Sequence, residues 1–184
     1  DGLAFDSAGQ LYLTDWDAGR VLRLESDGQW TTVDLGPTGR VRGLAIDTDD
    51  AIYVIDLDAN DIVRRDPDGT VAPIGVTGLD RPIALSVADG RIAVAQPGAV
   101  IVRETDGTQG SPAGFAAGDP HGIFLGADGT LLLAFTPSTG GRTPGEVGGV
   151  LRLVDGGSVE RLTFGDLYAF GSVAAAQATT GSPT

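Results

Sequence analysis

The chain is built from a repeated motif. The stretch GLAFDSAGQLYLTDWDAGRVLRL, which begins at Gly2, returns at Gly43 as GLAIDTDDAIYVIDLDANDIVRR. More divergent copies begin at Ile83 and Gly122, so successive units start 41, 40 and 39 residues apart. A period of this length predicts an array of supersecondary units, each too small to bury its own apolar face alone.

Each unit reads as four short strands whose polarity rises from the first to the last. In the first unit the predicted strands are 3–5, 11–14, 21–24 and 30–35, separated by tight or polar turns that include Gly9 and Asp27-Gly28. The second predicted strand is mostly apolar, which is typical of a strand buried on both faces. Four short antiparallel strands per unit predict one blade of a β-propeller.

The predicted fold class is therefore all-β, a β-propeller with four four-stranded blades and the start of a fifth. The predicted blades are 1–38, 39–79, 80–118, 119–165 and a partial 166–173, followed by a low-complexity tail over 174–184. Residues 136–149 read as a loop inserted into the fourth blade, and a weak last strand of the third blade is predicted near 113–116. An open edge strand at each end would be a pairing hazard, which favours a larger ring.

Composition excludes some function classes. The net charge of −13, with Arg as the basic residue throughout, argues against a nucleic-acid partner, which needs clustered cations. No apolar run is long enough for a membrane span, and the absence of Cys removes thiolate chemistry. Because Asp1 is not Met and stands directly before a strand, we expect the natural polypeptide to extend upstream. The compartment stays open, with an extracytoplasmic one favoured.

The two best-preserved units resemble NHL repeats and, equally, the repeats of the regucalcin-gluconolactonase family. They are similar, more distantly, to strictosidine-synthase-like and virginiamycin-lyase propellers. The resemblance weakens in units three and four, where Val87 and Gly126 replace the Asp that follows the first strand. It implies a ring of about six blades, which a further part of the chain or a partner would complete.

Candidate site residues follow from the order of the loops. In an antiparallel meander alternate loops share one end, so the loops between blades lie with the loops between second and third strands. The residue just before each innermost strand is expected at the central channel, which gives Asp1, Arg42, Pro82, His121 and Tyr168. Resemblance to regucalcin-like lactonases implies a divalent cation such as Ca²⁺ there, with Asp1 as the matching ligand.

His121 has two interpretations. It could be a general base or metal ligand, or a solvated residue of an inter-blade loop. Asp80 and Asp119 are loop acids that could orient it. Arg40, Arg42 and Arg81 could bind a carboxylate or phosphate, or could simply balance Asp80 and Asp119.

Two further positions have both a structural and a functional interpretation. Asp15 and Asp56 recur at one blade position, which indicates a structural role in holding turns. Trp16 could be a stacking platform or a packing residue between blades.

Two functions compete. The first is a binding or scaffold module that presents its loop-rich end to a small ligand, a peptide or a protein. Its candidate ligand-binding residues are Arg42, Arg81, Asp119 and Tyr168. The alternative is a metal-dependent hydrolase or lactonase, with His121 as catalytic residue and Asp1 as metal ligand at the channel mouth.

Overall fold

The chain forms four antiparallel sheets of four strands each. The computed structural model describes residues 2–111, 119–136, 149–154 and 158–162, and all regular secondary structure in these ranges is β-strand. Blade 1 contains β1 (Leu3–Phe5), β2 (Leu11–Asp15), β3 (Arg20–Leu24) and β4 (Trp30–Val33). Blade 2 contains β5 (Val41–Ile46), β6 (Ile52–Asp56), β7 (Asp61–Arg65) and β8 (Val71–Pro73). Blade 3 contains β9 (Ala84–Ala88), β10 (Arg91–Gln96), β11 (Ala99–Arg103) and β12 (Gln109–Gly110). Blade 4 contains β13 (Asp119–Leu125), β14 (Leu131–Thr136), β15 (Gly149–Val154) and β16 (Ser158–Leu162).

The sheets stand side by side as the blades of a propeller. Strands follow chain order within every sheet, and the first strands of successive blades, β1, β5, β9 and β13, contact one another in turn. Three apolar clusters fill the spaces between neighbouring blades. The predicted architecture is thus confirmed, and the burial between blades explains why a single unit would not be stable alone.

Most predicted strand positions agree with the structure to within one or two residues, but β5 begins at Val41 rather than 44 and β13 at Asp119 rather than 123. The last described strand of blade 3 is β12, which precedes the strand predicted near 113–116. The weak strand near 113–116 and the start of a fifth blade lie outside the described residues, as does most of the predicted loop 136–149, which β14 and β15 flank. The described part contains no helix with the length and hydropathy needed to cross a membrane. The exact blade boundaries stay a prediction.

An aspartate and a tyrosine hold the first turn of blades 1 and 2. In blade 2 one carboxylate oxygen of Asp47 accepts hydrogen bonds from the backbone N–H groups of Asp49 and Ala51, both at 2.9 Å. The other accepts the Tyr53 hydroxyl at 3.0 Å, and burial together with the charge of Asp47 raises the pKa of Tyr53 to about 12. Asp6 and Tyr12 repeat the arrangement.

The same pair explains how the repeat diverges. Units three and four have Val87 and Gly126 in place of the aspartate, and the tyrosine is missing from them as well, replaced by Ala93 and Leu132. The two residues change together because a buried hydroxyl without its acceptor would be costly.

Blade 1 exposes an apolar face, contrary to the prediction that its second strand is buried on both sides. Tyr12 and Thr14 of β2 are buried, whereas Leu11 and Leu13 on the other face are only partly so. On that face Leu3 and Phe5 are 62% and 58% exposed. The prediction was wrong for β2 because no described residue packs on this side of blade 1, while β6 in blade 2 is buried along its whole length.

The equivalent face of blade 2 shows which contacts such a face makes. Leu44, Ile52 and Val54 of blade 2 stand at the positions of Leu3, Leu11 and Leu13, and they pack against Tyr12 and Val21 of blade 1. The exposed face of blade 1 therefore has the chemistry that elsewhere in the chain receives a preceding blade. Completion of the ring by further chain or a partner stays a prediction, which this equivalence favours.

We expect the uncovered face to make the 184-residue chain associate with itself, since large exposed apolar patches drive association. Leu13→Glu should weaken this association about tenfold or more, because loss of one buried leucine contact costs about 2 kcal/mol. Sedimentation velocity over a concentration series measures the effect, with Ala127→Glu in an exposed turn of blade 4 as the control. A chain that stays monomeric at every concentration would contradict the prediction.

Candidate functional site

A cavity of about 510 Å³ opens at the loop-rich end, between the loops of blades 1, 2 and 3. Trp16 comes from the β2–β3 turn, Leu57 and Asn60 from the β6–β7 turn, Arg42 from the start of β5, and the remaining residues from the β4–β5 and β8–β9 connections. The lining residues are Trp16, Arg40, Arg42, Leu57, Asn60, Leu79, Asp80, Arg81 and Pro82. Leu79 and Pro82 are buried, whereas Arg40, Asp80 and Arg81 are exposed at its rim.

Asp56 ties two of the surrounding loops together. It is 3% exposed, and one of its carboxylate oxygens accepts the backbone N–H groups of Asp58 and Ala59, both at 3.0 Å. The other oxygen accepts the N–H of Gly39 at 3.1 Å. This confirms the structural role predicted for Asp56 and fixes the β4–β5 connection that precedes Arg42. Asp15, its counterpart in blade 1, contacts its own turn and forms an ion pair with Arg20.

Gln96 and Asn60 hold the β8–β9 connection in the same manner. Gln96, the last residue of β10, accepts the N–H of Asp80 at 2.9 Å and donates to the carbonyl of Gly78 at 3.2 Å. The Asn60 side chain donates to the carbonyl of Leu79 at 2.9 Å. Sequence reasoning missed both residues, although Gln96 stands at the repeat position of Asp56 and that equivalence could have identified it.

The β2–β3 turn packs closely on the β4–β5 connection. The Thr38 hydroxyl donates to the carbonyl of Gly19 at 2.8 Å, and Gly19 lies against the backbone of Gly39 with a φ of 61°. A side chain at position 19 would collide with the Gly39 carbonyl oxygen. This contact sets the distance between Trp16, three residues before Gly19, and the arginines that follow Gly39.

Two of the three cavity arginines have acidic partners. The Arg40 guanidinium binds one carboxylate oxygen of Asp58 through Nε at 3.0 Å and Nη2 at 2.7 Å. The Arg40 side chain and backbone N–H hold the pKa of Asp58 below its usual range. Arg81 lies 3.4 Å from Asp80, with both side chains largely exposed, so this pair contributes little.

Arg42 differs from both. It is half-buried, and within the ranges that the structure describes its guanidinium makes no hydrogen bond or ion pair. Its guanidinium carbon lies 5.5 Å from the centre of the Trp16 ring, and that of Arg40 lies 5.9 Å away. The Trp16 ring thus makes cation–π contacts with two arginines. For Arg42 this ring is the one partner in the described part of the chain.

The structure brings some predicted site residues together and separates others. Arg42, Arg81 and Pro82 line one cavity, whereas His121 and Asp119 lie on β13 of blade 4. Arg42 and His121 were predicted just before innermost strands, but they lie inside them, because pairing begins one or two residues earlier and both strands contain a bulge at this point.

His121 is exposed, and its Nε2 lies 2.9 Å from the hydroxyl of Thr136. The described hydrogen-bond partner is therefore a neighbouring threonine rather than Asp80 or Asp119, and Asp80 contacts Arg81 instead. Asp1 and Tyr168 fall outside the described residues. Among the residues that are described, no group of three or more acidic or histidine side chains could hold a metal ion. The catalytic role of His121 and the metal site stay predictions.

Four-stranded blades with consecutive innermost strands and loops gathered at one end define this chain as a β-propeller, and comparison with solved structures agrees. No protein-family model and no curated protein matches the chain. A structure of virginiamycin B lyase from Staphylococcus aureus with quinupristin matches 90% of this chain and 56% of its own length, at a TM-score of 0.66 and 17% identity.

Two further structures show the same fold. A gluconolactonase from Xanthomonas campestris matches 89% of this chain and 61% of its own, at a TM-score of 0.70 and 23% identity. A chain of a nidogen/laminin complex matches 89% and 64%, at a TM-score of 0.71 and 18% identity. The chain thus spans between about half and two thirds of the length of these proteins. The NHL-type, gluconolactonase and virginiamycin-lyase propellers that the sequence resembles are confirmed as its structural neighbours, and at these identities the likeness concerns the fold.

Proposed function

We propose that this chain is a propeller binding module that takes a small ligand in the cavity at its loop-rich end. The observation that carries the proposal is Arg42, a half-buried cation beside Trp16 without an acidic partner in the described part of the chain. A charge that is partly withdrawn from water is favoured by an oppositely charged partner. A ligand in the cavity would supply that pairing.

The fold alone does not choose a function, because its structural neighbours include a lyase, a gluconolactonase and part of a nidogen/laminin complex. The cavity favours a small ligand over a protein partner, since concave sites with a few convergent polar groups are typical of small-molecule binding. Its walls are held by side-chain bonds from Asp56, Asn60 and Gln96, so the site is formed in advance. A peptide or protein bound at the same end is the related alternative.

Nuclear magnetic resonance with a library of small compounds tests this proposal. Binding in the cavity should shift the indole N–H resonance of Trp16, whereas Trp30 on the outer strand of blade 1 serves as an internal control. If compounds shift Trp30 alone, or shift neither indole, the cavity is not a binding site.

Metal-dependent lactone hydrolysis is the second candidate. It rests on the exposed His121 at the start of an innermost strand and on the shared fold of a gluconolactonase. If it holds, Ca²⁺ or Zn²⁺ should raise the melting temperature, a chelator should reverse the rise, and His121→Ala should abolish lactone turnover. No metal shift and no turnover would eliminate this candidate and leave the binding module.

A further inference from the structure

We infer that the cavity binds a small organic carboxylate with a flat apolar body, the carboxylate on Arg42 and the flat group against Trp16. This inference rests on the proposed binding function and adds the class of ligand to it. Nothing in the repeat itself requires a ligand of this charge; the residues that line the cavity select it.

The charge of the cavity favours a single negative charge on the ligand. The whole chain carries a net charge of −13, yet the cavity is lined by three arginines and one aspartate. Asp58 balances Arg40 and Asp80 balances Arg81, which leaves the positive charge of Arg42. A cation would be repelled by it, and a neutral ligand would leave it unpaired.

The geometry of the donors favours a carboxylate. A guanidinium presents its N–H groups as a rigid planar fork that matches two carboxylate oxygens, and such bonds are stronger than neutral ones. Water competes less for Arg42 than for a fully exposed side chain because Arg42 is half-buried. The single unbalanced positive charge of Arg42 matches the one negative charge of a carboxylate better than the two of a phosphate dianion.

The remaining lining suits a flat apolar body. The Trp16 ring is one wall, and Leu57, Leu79 and Pro82 contribute apolar surface. A volume of about 510 Å³ is in the usual range for small-molecule sites. Stacking on Trp16 would add to the charge interaction rather than replace it.

The backbone at one edge of the cavity is strained at Arg81, which accords with a ligand site, whereas asparagine adopts the same conformation readily. Four residues other than glycine in the described part have positive φ angles, and two of them, Asn60 and Arg81, both at 53°, line the cavity. A left-handed conformation is unfavourable for a residue such as arginine. Strain of this kind collects at ligand-binding sites, where surrounding bonds maintain it.

Titrations that follow the Trp16 indole resonance test the ligand class. Benzoate should bind at least about tenfold more tightly than benzamide, its neutral analogue, and than acetate, which lacks the ring. Benzylamine, which carries the opposite charge, should not bind. Arg42→Gln should weaken benzoate about tenfold or more, while Arg20→Gln, an exposed ion-paired residue outside the cavity, should leave the affinity unchanged.

The outcomes separate the ligand class from the proposed function. If benzamide binds as tightly as benzoate and Arg42→Gln changes neither, the cavity binds ligands but the carboxylate assignment is wrong. Tighter binding of phenyl phosphate than of benzoate would also overturn it. If no compound shifts Trp16 in the folded native chain, both the class and the function fail.

Discussion

Replacement of Asp56 with alanine is expected to lower the free energy of unfolding by about 3 kcal/mol or more. The buried carboxylate accepts three backbone N–H groups, from Gly39, Asp58 and Ala59. Each of these donors would lose its partner in a partly buried hydrogen bond, and one unsatisfied buried donor costs about 1–3 kcal/mol. The loss should be large because the three donors belong to two different loops.

Urea denaturation of the native chain and the variant measures this difference. Asp15→Ala is the matched control, since Asp15 occupies the same repeat position but has a partly exposed side chain and an ion pair with Arg20. We expect the control to lose less than about 1 kcal/mol. Equal losses would show that Asp56 does not hold the loops as described. Asp56→Ala should also weaken any ligand of Arg42, because Gly39 precedes that arginine by three residues.

Gly19→Ala is expected to destabilise the chain by about 2–4 kcal/mol, from two causes that add. The φ of Gly19 is 61°, which an alanine adopts only with strain. The new Cβ would also collide with the carbonyl oxygen of Gly39. Because that oxygen belongs to backbone and cannot rotate away, the β4–β5 connection itself would have to move.

Gly9→Ala separates the two causes. Gly9 has a φ of 78° but nothing within 4 Å of a Cβ built on it, so this control suffers the conformational strain alone, about 1 kcal/mol. Thermal unfolding of both variants gives the comparison, and the Trp16 indole resonance should shift in Gly19→Ala only. If the two variants lose the same stability, the close contact between Gly19 and Gly39 adds nothing to the cost of an alanine at position 19.

The blades could be predicted because their signals are local. Apolar runs of strand length, aspartate-glycine turns and a constant period lie within 40 or so neighbouring residues. The role of Asp56 was also accessible, since its recurrence at the position of Asp15 pointed to structure. The acidic partner of Arg40 was less accessible, because Asp80 and Asp119 were the acids predicted near the cavity arginines, whereas Arg40 binds Asp58. Arg81 does pair with Asp80.

The repeat by itself determined the four-stranded blade, the order of the strands and the end at which the loops gather. Only the tertiary structure decided that Arg42 faces Trp16 without an acid, that Asp58 binds Arg40, and that blade 1 leaves Leu3 and Phe5 exposed. The physical reason is that a strand forms from neighbours in the sequence. Burial and charge pairing depend instead on which distant loops the packed blades bring together.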